Sequence, residues 1–404
     1  MSHPDPRASS VNAGHDAQEH LGSLKTPIYE TSSFVFETAE EGERFFEVVY
    51  GLDEAQPGED VGYIYSRLDS PNARVTETSL AIWEAAEEAL LFNSGMAAIS
   101  TVFLTYLRPG AKVLYSTPSY GGTAALLEGM FSELGVKALP FTSDATEEDL
   151  NGKVDGNLAM VYVESPANPT NDIFDIAMAA RVAHKNDAIL AVDNTFLSPV
   201  WQRPLEMGAD LSIHSATKYL GGHSDLTAGV VCGAKDALEG IRHNRYRLGT
   251  TAQPHTAWLL GRSLETLALR VERQTETATK VAQFLDSHNK VASVDHLSLL
   301  AEDDPKRVIH DKQASGPGAM IAFEVIGGKE EAFRFLNAMS LVHLAVSLGG
   351  TETLASHPWT MSHSTMASQD KKLIGVTPGL IRLSIGVEAP ADLIADLEQA
   401  LALV

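Results

Sequence analysis

The residues 193–222 read DNTFLSPVWQRPLEMGADLSIHSATKYLGG. Asp193 closes the apolar run AILAV, and Lys218 stands 25 positions later, just past a second run, DLSIHSAT. A lysine at the carboxyl end of a buried strand gives up hydration. Its pKa falls, and the neutral amine becomes a good Schiff-base nucleophile. An aspartate on an earlier strand can sit opposite it. Ser215 and Thr217 crowd the lysine, and Gly221 and Gly222 follow it. An imine-forming lysine, a carboxylate that keeps a pyridine nitrogen protonated, and hydroxyls or amides for a phosphate are what pyridoxal phosphate requires. Taken alone, Lys218 also fits a surface lysine that follows a strand.

Ser-Ala-Thr-Lys-Tyr, preceded by Asp-Asn-Thr-Phe, resembles the pyridoxal-phosphate enzymes of cysteine and methionine metabolism. These include cystathionine γ-synthase, cystathionine γ-lyase and β-lyase, methionine γ-lyase and the O-acylhomoserine sulfhydrylases. The resemblance runs from about Gly22 to Val404. It implies an α/β fold of fold type I, aspartate-aminotransferase-like, and further site residues. Tyr65 and Arg67, in Tyr63-Ile-Tyr65-Ser-Arg67, match a motif that reaches the cofactor phosphate of an adjacent subunit, where a guanidinium fork suits the anion. The LDSPN that follows differs from the family's more usual Gly-Asn-Pro-Thr. Gly95 and Met96, in Ser-Gly-Met-Ala, match the phosphate loop. A Ser-Gly pair opening a helix leaves free amides for an anion. Tyr120 would stack on the ring and act as acid or base, Asn168 would bond the phenolic oxygen, and Asp193 would face the ring nitrogen. Ser347 and Arg382 would hold the substrate's α-carboxylate. The resemblance also implies a homotetramer, a dimer of dimers with shared sites.

These residues need a frame. Strands and helices alternate from about 90 to 235, which predicts a mostly parallel sheet with helices on both faces and a site at the strands' carboxyl ends. EEGERFFEVV reads as a short helix, and RVTETSLAIWEAAEEALLF as a helix running into a strand. RSLETLALRVERQTETATKVAQFLDSH has the period of one long amphipathic helix. GPGAMIAFEVIGG and GLIRLSIGVE read as strands and EAFRFLNAMSL as a helix, predicting a small C-terminal α+β domain. The expected divisions are an N-terminal arm and intersubunit segment, 1–64, a cofactor domain, 65–255, and a C-terminal domain, 256–404. Residues 1 to about 21 read as a polar, mobile tail, and 51–62 as a turn-rich acidic loop.

The formal net charge of the 404 residues is −23, which argues against nucleic acid and anionic membranes as partners. No apolar run approaches a membrane span. The one cysteine, Cys232, lies in AGVVCG and fits a buried small hydrophobe in a reducing cytoplasm. His223 and Asp225 are too few for a metal site, so no metal is expected.

The expected substrate is a small amino acid, and the position that bears on which one is Val346. In the family, cystathionine γ-synthases and γ-lyases carry a glutamate there, which reads the distal ammonium. Methionine γ-lyases carry valine. They also often carry cysteine at the position of Gly122. Gly-His-Ser-Asp and Ser-Leu-Gly-Gly-Thr-Glu resemble the cystathionine enzymes more. The favoured reading is γ-elimination of the methionine γ-lyase type. The alternatives are γ-replacement on an O-acylhomoserine and cystathionine γ-lyase. A binding protein that has lost the chemistry ranks lower, because Lys218, Asp193 and Arg382 are all present; an aminotransferase is a closer rival, told from a lyase by a requirement for an amino-group acceptor.

Overall fold

The computed structural model describes residues 5–56, 59–154, 156–364 and 366–404. Two sheets carry it. The first has seven strands: β1 Glu88–Phe92, β2 Lys112–Ser116, β3 Lys137–Phe141, β4 Leu158–Glu164, β5 Ile189–Asp193, β6 Leu211–His214 and β7 Gly229–Gly233. Their order is β1-β7-β6-β5-β4-β2-β3. The neighbours from β6 to β3 are parallel, whereas β7 runs against both β6 and β1. The second sheet comprises β8 Val291–Asp295, β9 Met320–Val325, β10 His343–Leu344, β11 Leu354–Ser356 and β12 Leu380–Ser384, in the order β10-β11-β12-β9-β8.

Parallel strands covered on both faces read as unbroken apolar runs, and β5, ILAVD, is such a run. On one face, Phe92, Tyr115, Tyr162, Leu211 and Val231 pack against helix α3, Gly95–Tyr106, and helix α5, Lys235–Leu248. The other face packs on helix α2, Pro71–Glu84, helix α4, Ile176–Lys185, and helix α6, Pro254–Leu264. Ser70 caps α2 by accepting from the Ala73 amide at 3.2 Å, with Pro71 in the first turn. Such caps are worth about 1 kcal/mol. Helix α1 is Ala39–Val49. The second sheet packs on helices α7, Leu267–Asp286, α8, Lys329–Ala338, and α9, Pro390–Leu401.

Two expectations are corrected. The single long helix is two, α6 and α7, with Glu265 and Thr266 between them. The Ser263 carbonyl there accepts from Thr266 Oγ1 at 3.2 Å and from Arg270 Nη2 at 2.9 Å, and Arg270 Nη1 also holds the Tyr219 carbonyl at 2.8 Å. Side chains thus take a carbonyl that would otherwise continue the ladder. The N-terminal segment from residue 5 is not a mobile tail. Ser79 Oγ donates to the Ser10 carbonyl at 3.1 Å, and Lys25 pairs with Glu265 at 2.5 Å. His15 bridges Thr26 Oγ1 at 2.9 Å and the Ser23 carbonyl at 2.8 Å.

Within the acidic loop 51–62, residues 57 and 58 lie outside the described residues. Arg44 on α1 holds Asp53 at 2.6 Å and Glu59 at 2.8 Å, and Arg74 on α2 holds Asp60 at 2.9 Å. Among the described residues no helix is long and apolar enough to cross a membrane, and no group of three or more acidic, histidine or cysteine side chains could hold a metal. Cys232 is fully buried on β7.

Candidate active site

A cavity of about 330 Å³ opens where the carboxyl ends of β4, β5 and β6 meet the start of α3 and the loop before β11. It gathers Gly95, Met96, Tyr120, Asn168, Asp193, Ser215, Thr217, Lys218, Val346, Ser347 and Arg382. Of the sequence-derived candidates, only Tyr65 and Arg67 stand apart. Tyr65 is 42% exposed, and Arg67 Nη1 donates to the Tyr246 carbonyl at 2.6 Å.

Asp193 is the last residue of β5, while Ser215, Thr217 and Lys218 lie on the turn that follows β6. Lys218 Nζ donates to Ser347 Oγ at 2.8 Å. Burial, and then the positive Arg382, push its amine down to about 8. Ser347 holds φ at +108°, a region few side chains adopt. Its carbonyl accepts from Arg382 Nη2 at 3.0 Å. The loop carrying Ser347 lies tight on the Lys218 turn: a Cβ on Gly349, at φ +75°, would stand 2.6 Å from the Tyr219 nitrogen. Only glycine fits there.

Arg382, on β12, is 6% exposed. It donates to Asn168 Oδ1 at 2.9 Å, its Nε has no partner, and among the described residues it pairs with no carboxylate. Burial pushes it down to about 10. A buried guanidinium with donors to spare is a seat for an anion. Asn168 is set by Glu164, whose two oxygens accept from the Asn168 amide at 2.8 Å and the Tyr120 amide at 2.6 Å. Burial beside Asp193 pushes Glu164 up.

Asp193 is 6% exposed and forms no ion pair among the described residues. It accepts from Thr195 Oγ1 at 2.6 Å and from Tyr162 OH at 3.1 Å. Burial pushes its carboxyl up. A protonated ring nitrogen is the cation such a carboxylate lacks. Ser94 caps α3 by accepting from the Ala97 amide at 3.1 Å, so the first amides, those of Gly95 and Met96, have no partner within the helix. A Cβ on Gly95 would sit 2.8 Å from that of Ser215, so a larger residue would close this end. A lone carboxylate, free helix amides and a desolvated amine fit the ring nitrogen, phosphate and carbonyl of pyridoxal phosphate. The Thr217 hydroxyl is already engaged with the Ala228 backbone, donating at 3.2 Å and accepting at 3.1 Å.

The sequence reading missed Thr195. Besides bonding Asp193, its hydroxyl accepts from the Ser215 amide at 2.9 Å, which ties the two strand ends together. Its place two residues after Asp193 was the available signal. Tyr162 gave none, since it reads as one more apolar strand residue.

A profile of the Cys/Met metabolism PLP-dependent enzyme family matches residues 7–402. The chain belongs to this family. It therefore uses pyridoxal 5′-phosphate. Among its relatives, an L-methionine gamma-lyase of Pseudomonas deceptionensis is 40% identical over 97% of this chain and 96% of its own. A cystathionine beta-lyase of Coxiella burnetii is 36% identical over 99% and 98%. The crystal structure of a cystathionine gamma-lyase from Lactobacillus plantarum, complexed with L-serine, superposes with a TM-score of 0.89 at 32% identity, covering 99% of each chain. The architecture is accordingly that of the fold-type I enzymes.

The lowered amine gives a pH prediction for this family member. Below about 8 Lys218 is mostly ammonium, and only the neutral amine attacks a carbonyl. The rate at which cofactor-free protein takes up pyridoxal phosphate should rise about tenfold per pH unit up to about 8, then level off. Stopped-flow absorbance would follow it. A rise continuing to pH 10 would mean an ordinary lysine.

Proposed function

We propose that the protein is a γ-lyase of the methionine γ-lyase type. It would release a 2-oxo acid and ammonia from an amino acid whose γ-substituent is uncharged. The observation that carries this reading is Val346, 65% exposed at the cavity. Among the described residues, the only carboxylates on this chain's part of the wall are Glu164 and Asp193. Glu164 is taken up by two backbone amides, and Asp193 by Thr195 and Tyr162. No carboxylate on that wall is left to read a distal ammonium, and valine cannot pair with one.

When bound, the cofactor withdraws electrons from the substrate's α-carbon. Arg382 holds the α-carboxylate through its free donors and fixes the substrate's orientation. Lys218, neutral above about 8, takes the proton from Cα, would pass it on to the bound cofactor and, neutral again, would take one from Cβ, after which the γ-substituent can leave with its bonding pair. Tyr120 lies at the cavity with its amide held by Glu164, where its ring excludes water and its hydroxyl can pass a proton to the leaving group. Asp193 holds the proton on the ring nitrogen. The relatives bearing methionine gamma-lyase names support elimination. The cystathionine-named relatives keep cystathionine as a second substrate to test.

The test is 2-oxo acid release from methionine, homocysteine, cystathionine, O-acetylhomoserine and O-succinylhomoserine, each with and without cysteine. Release from methionine or homocysteine without a thiol is expected. Val346→Glu should lower kcat/KM for methionine about tenfold and raise that for cystathionine by a similar factor. If a thioether forms only when cysteine and an acylhomoserine are both present, the protein is a γ-synthase instead.

Tyr65 and Arg67 lie away from this chain's own cavity, which supports a homo-oligomer, a tetramer built of dimers, whose subunits complete each other's sites. Arg67→Ala and Lys218→Ala proteins, each inactive, should recover activity when mixed and allowed to exchange subunits. No recovery after confirmed exchange would exclude the shared site.

A further inference from the structure

The proposed chemistry leaves one buried hydroxyl beside the cofactor seat without a role of its own. Tyr162 of β4 is fully buried, and its ring meets that of Phe103 on α3 edge-on, 5.4 Å between centroids. Phenylalanine would fill that space as well. The hydroxyl donates to Asp193 Oδ2 at 3.1 Å. Strand register puts the two side chains on one face of the sheet. Glu164 pairs with Asp193 and Tyr162 with Ala191, and alternate strand residues point the same way.

The two Asp193 oxygens are not equivalent. Oδ1 accepts from the Thr195 amide at 3.1 Å and from the Thr195 hydroxyl at 2.6 Å. Each oxygen of an ionised carboxylate has about two acceptor sites, so Oδ1 is filled. Among the described residues Oδ2 receives only Tyr162, which leaves it a lone pair to offer. The last torsion of an aspartate is soft. Thr195 on one oxygen and Tyr162 on the other fix it.

The ionisable groups around the pair are engaged elsewhere. Glu164 accepts from the Asn168 and Tyr120 amides, Lys218 donates to Ser347, and Arg382 donates to Asn168 and the Ser347 carbonyl. Beside Tyr162 on β2, the Tyr115 hydroxyl donates to Glu128. Tyr106 of α3 donates to the Ala237 carbonyl at 2.7 Å. His214 follows Ile213, which pairs with Asp193, so it turns to the other face of the sheet, where it meets Glu84. Burial, and then the charges of Asp193 and Glu164, push the Tyr162 hydroxyl well above its ordinary range, so it stays a donor at every working pH.

We infer that Tyr162 is a positioning residue for the cofactor: its hydroxyl turns the Asp193 carboxyl so that the free lone pair of Oδ2 is the one that meets the protonated ring nitrogen. This rests on Asp193 facing that nitrogen. The same bond favours the ionised carboxyl. Burial pushes Asp193 up, and the Thr195 and Tyr162 donors draw it down. Without Tyr162 the carboxyl takes up a proton at higher pH, so the loss of the hydroxyl matters more as pH falls.

The experiment compares Tyr162→Phe with the unmodified protein, each alone and combined with Asp193→Asn. Cofactor is removed, and Kd is measured across pH for pyridoxal phosphate and for its deaza analogue, in which a C–H replaces the ring nitrogen. Tm and the visible absorption of the reconstituted protein are recorded as well. Tyr162→Phe should weaken pyridoxal phosphate binding about tenfold near neutrality, and more at lower pH. Kd for the deaza analogue, and Kd for pyridoxal phosphate in the Asp193→Asn background, should stay within about twofold. An equal loss for both cofactor forms would overturn the inference, since the hydroxyl would then only shape the pocket. A lowered Tm with both constants unchanged would overturn it too. If Asp193→Asn alone leaves pyridoxal phosphate affinity and absorption unchanged, the placing of Asp193 has failed, and the inference with it. The ratio of the two constants reads the hydroxyl even where packing is disturbed, so Tyr162→Leu serves should Tyr162→Phe not fold.

Discussion

Lys218→Arg is expected to stop turnover. Arginine keeps the positive charge and can still reach the Ser347 hydroxyl, so the fold and the local field survive. A guanidinium that is protonated at every accessible pH neither attacks a carbonyl nor moves a proton. Positioned proton transfer alone is worth up to about 10⁴-fold, and oxo-acid release should fall by at least about that factor. The visible absorption of the bound cofactor should change with it, while the Tm of the cofactor-free protein stays close to that of the parent. A Lys218→Arg enzyme within about tenfold of the parent would mean that another amine carries the chemistry.

Arg382→Met is the second large effect, and it should fall on the substrate. Removing one partner of a buried, hydrogen-bonded charge pair costs about 2–5 kcal/mol, or roughly 30- to 4,000-fold in kcat/KM. Arg382→Lys should recover little, because a point charge cannot replace a fork that already spends one arm on Asn168 and another on the Ser347 carbonyl. The cofactor-free protein should not lose stability with Met, since a guanidinium without a carboxylate is expensive to bury. The pH at which Lys218 becomes reactive should also rise, because Arg382 is one of the two influences holding its amine down. An unchanged kcat/KM for the amino acid would mean that the carboxylate docks elsewhere.

Asp193, Lys218 and Arg382, which line the cavity, were legible because each breaks a local pattern. Asp193 and Lys218 put charge at the ends of apolar runs, and Arg382 puts it inside LIRLSIG. Parallel strands expose only their ends to a site, so such breaks mark the site directly. What supports these residues was hidden. Tyr162 reads as one more apolar strand residue, and only the pairing of β4 with β5 brings its hydroxyl to Asp193. The break at Glu265 and Thr266 was invisible for a similar reason: the apolar period continues across it, and the cause is Arg270 reaching back to the Ser263 and Tyr219 carbonyls. The N-terminal segment looked like a tail because its contacts are polar, and polar composition does not distinguish bonded side chains from solvated ones. Tyr65 and Arg67 could be placed in a site only through resemblance, since nothing in the chain's own geometry brings them to its cavity.

Lys218, Asp193 and the α3 amides belong to the first sheet and its helices, whereas Arg382 and Ser347 come from the second sheet and the loop beside it. The seam between them is crossed by Asn171, which donates to the Asp295 and Met320 carbonyls at 2.9 and 3.0 Å. Gln274 of α7, at 2.6 Å from the Gly350 carbonyl, ties down the loop beside Ser347. A shift of a few tenths of an ångström along that seam would move Arg382 and Ser347 relative to Lys218, Asp193 and the α3 amides. Substitutions along this seam, remote from the cavity, should therefore change kcat/KM for an amino acid more than the Kd for pyridoxal phosphate.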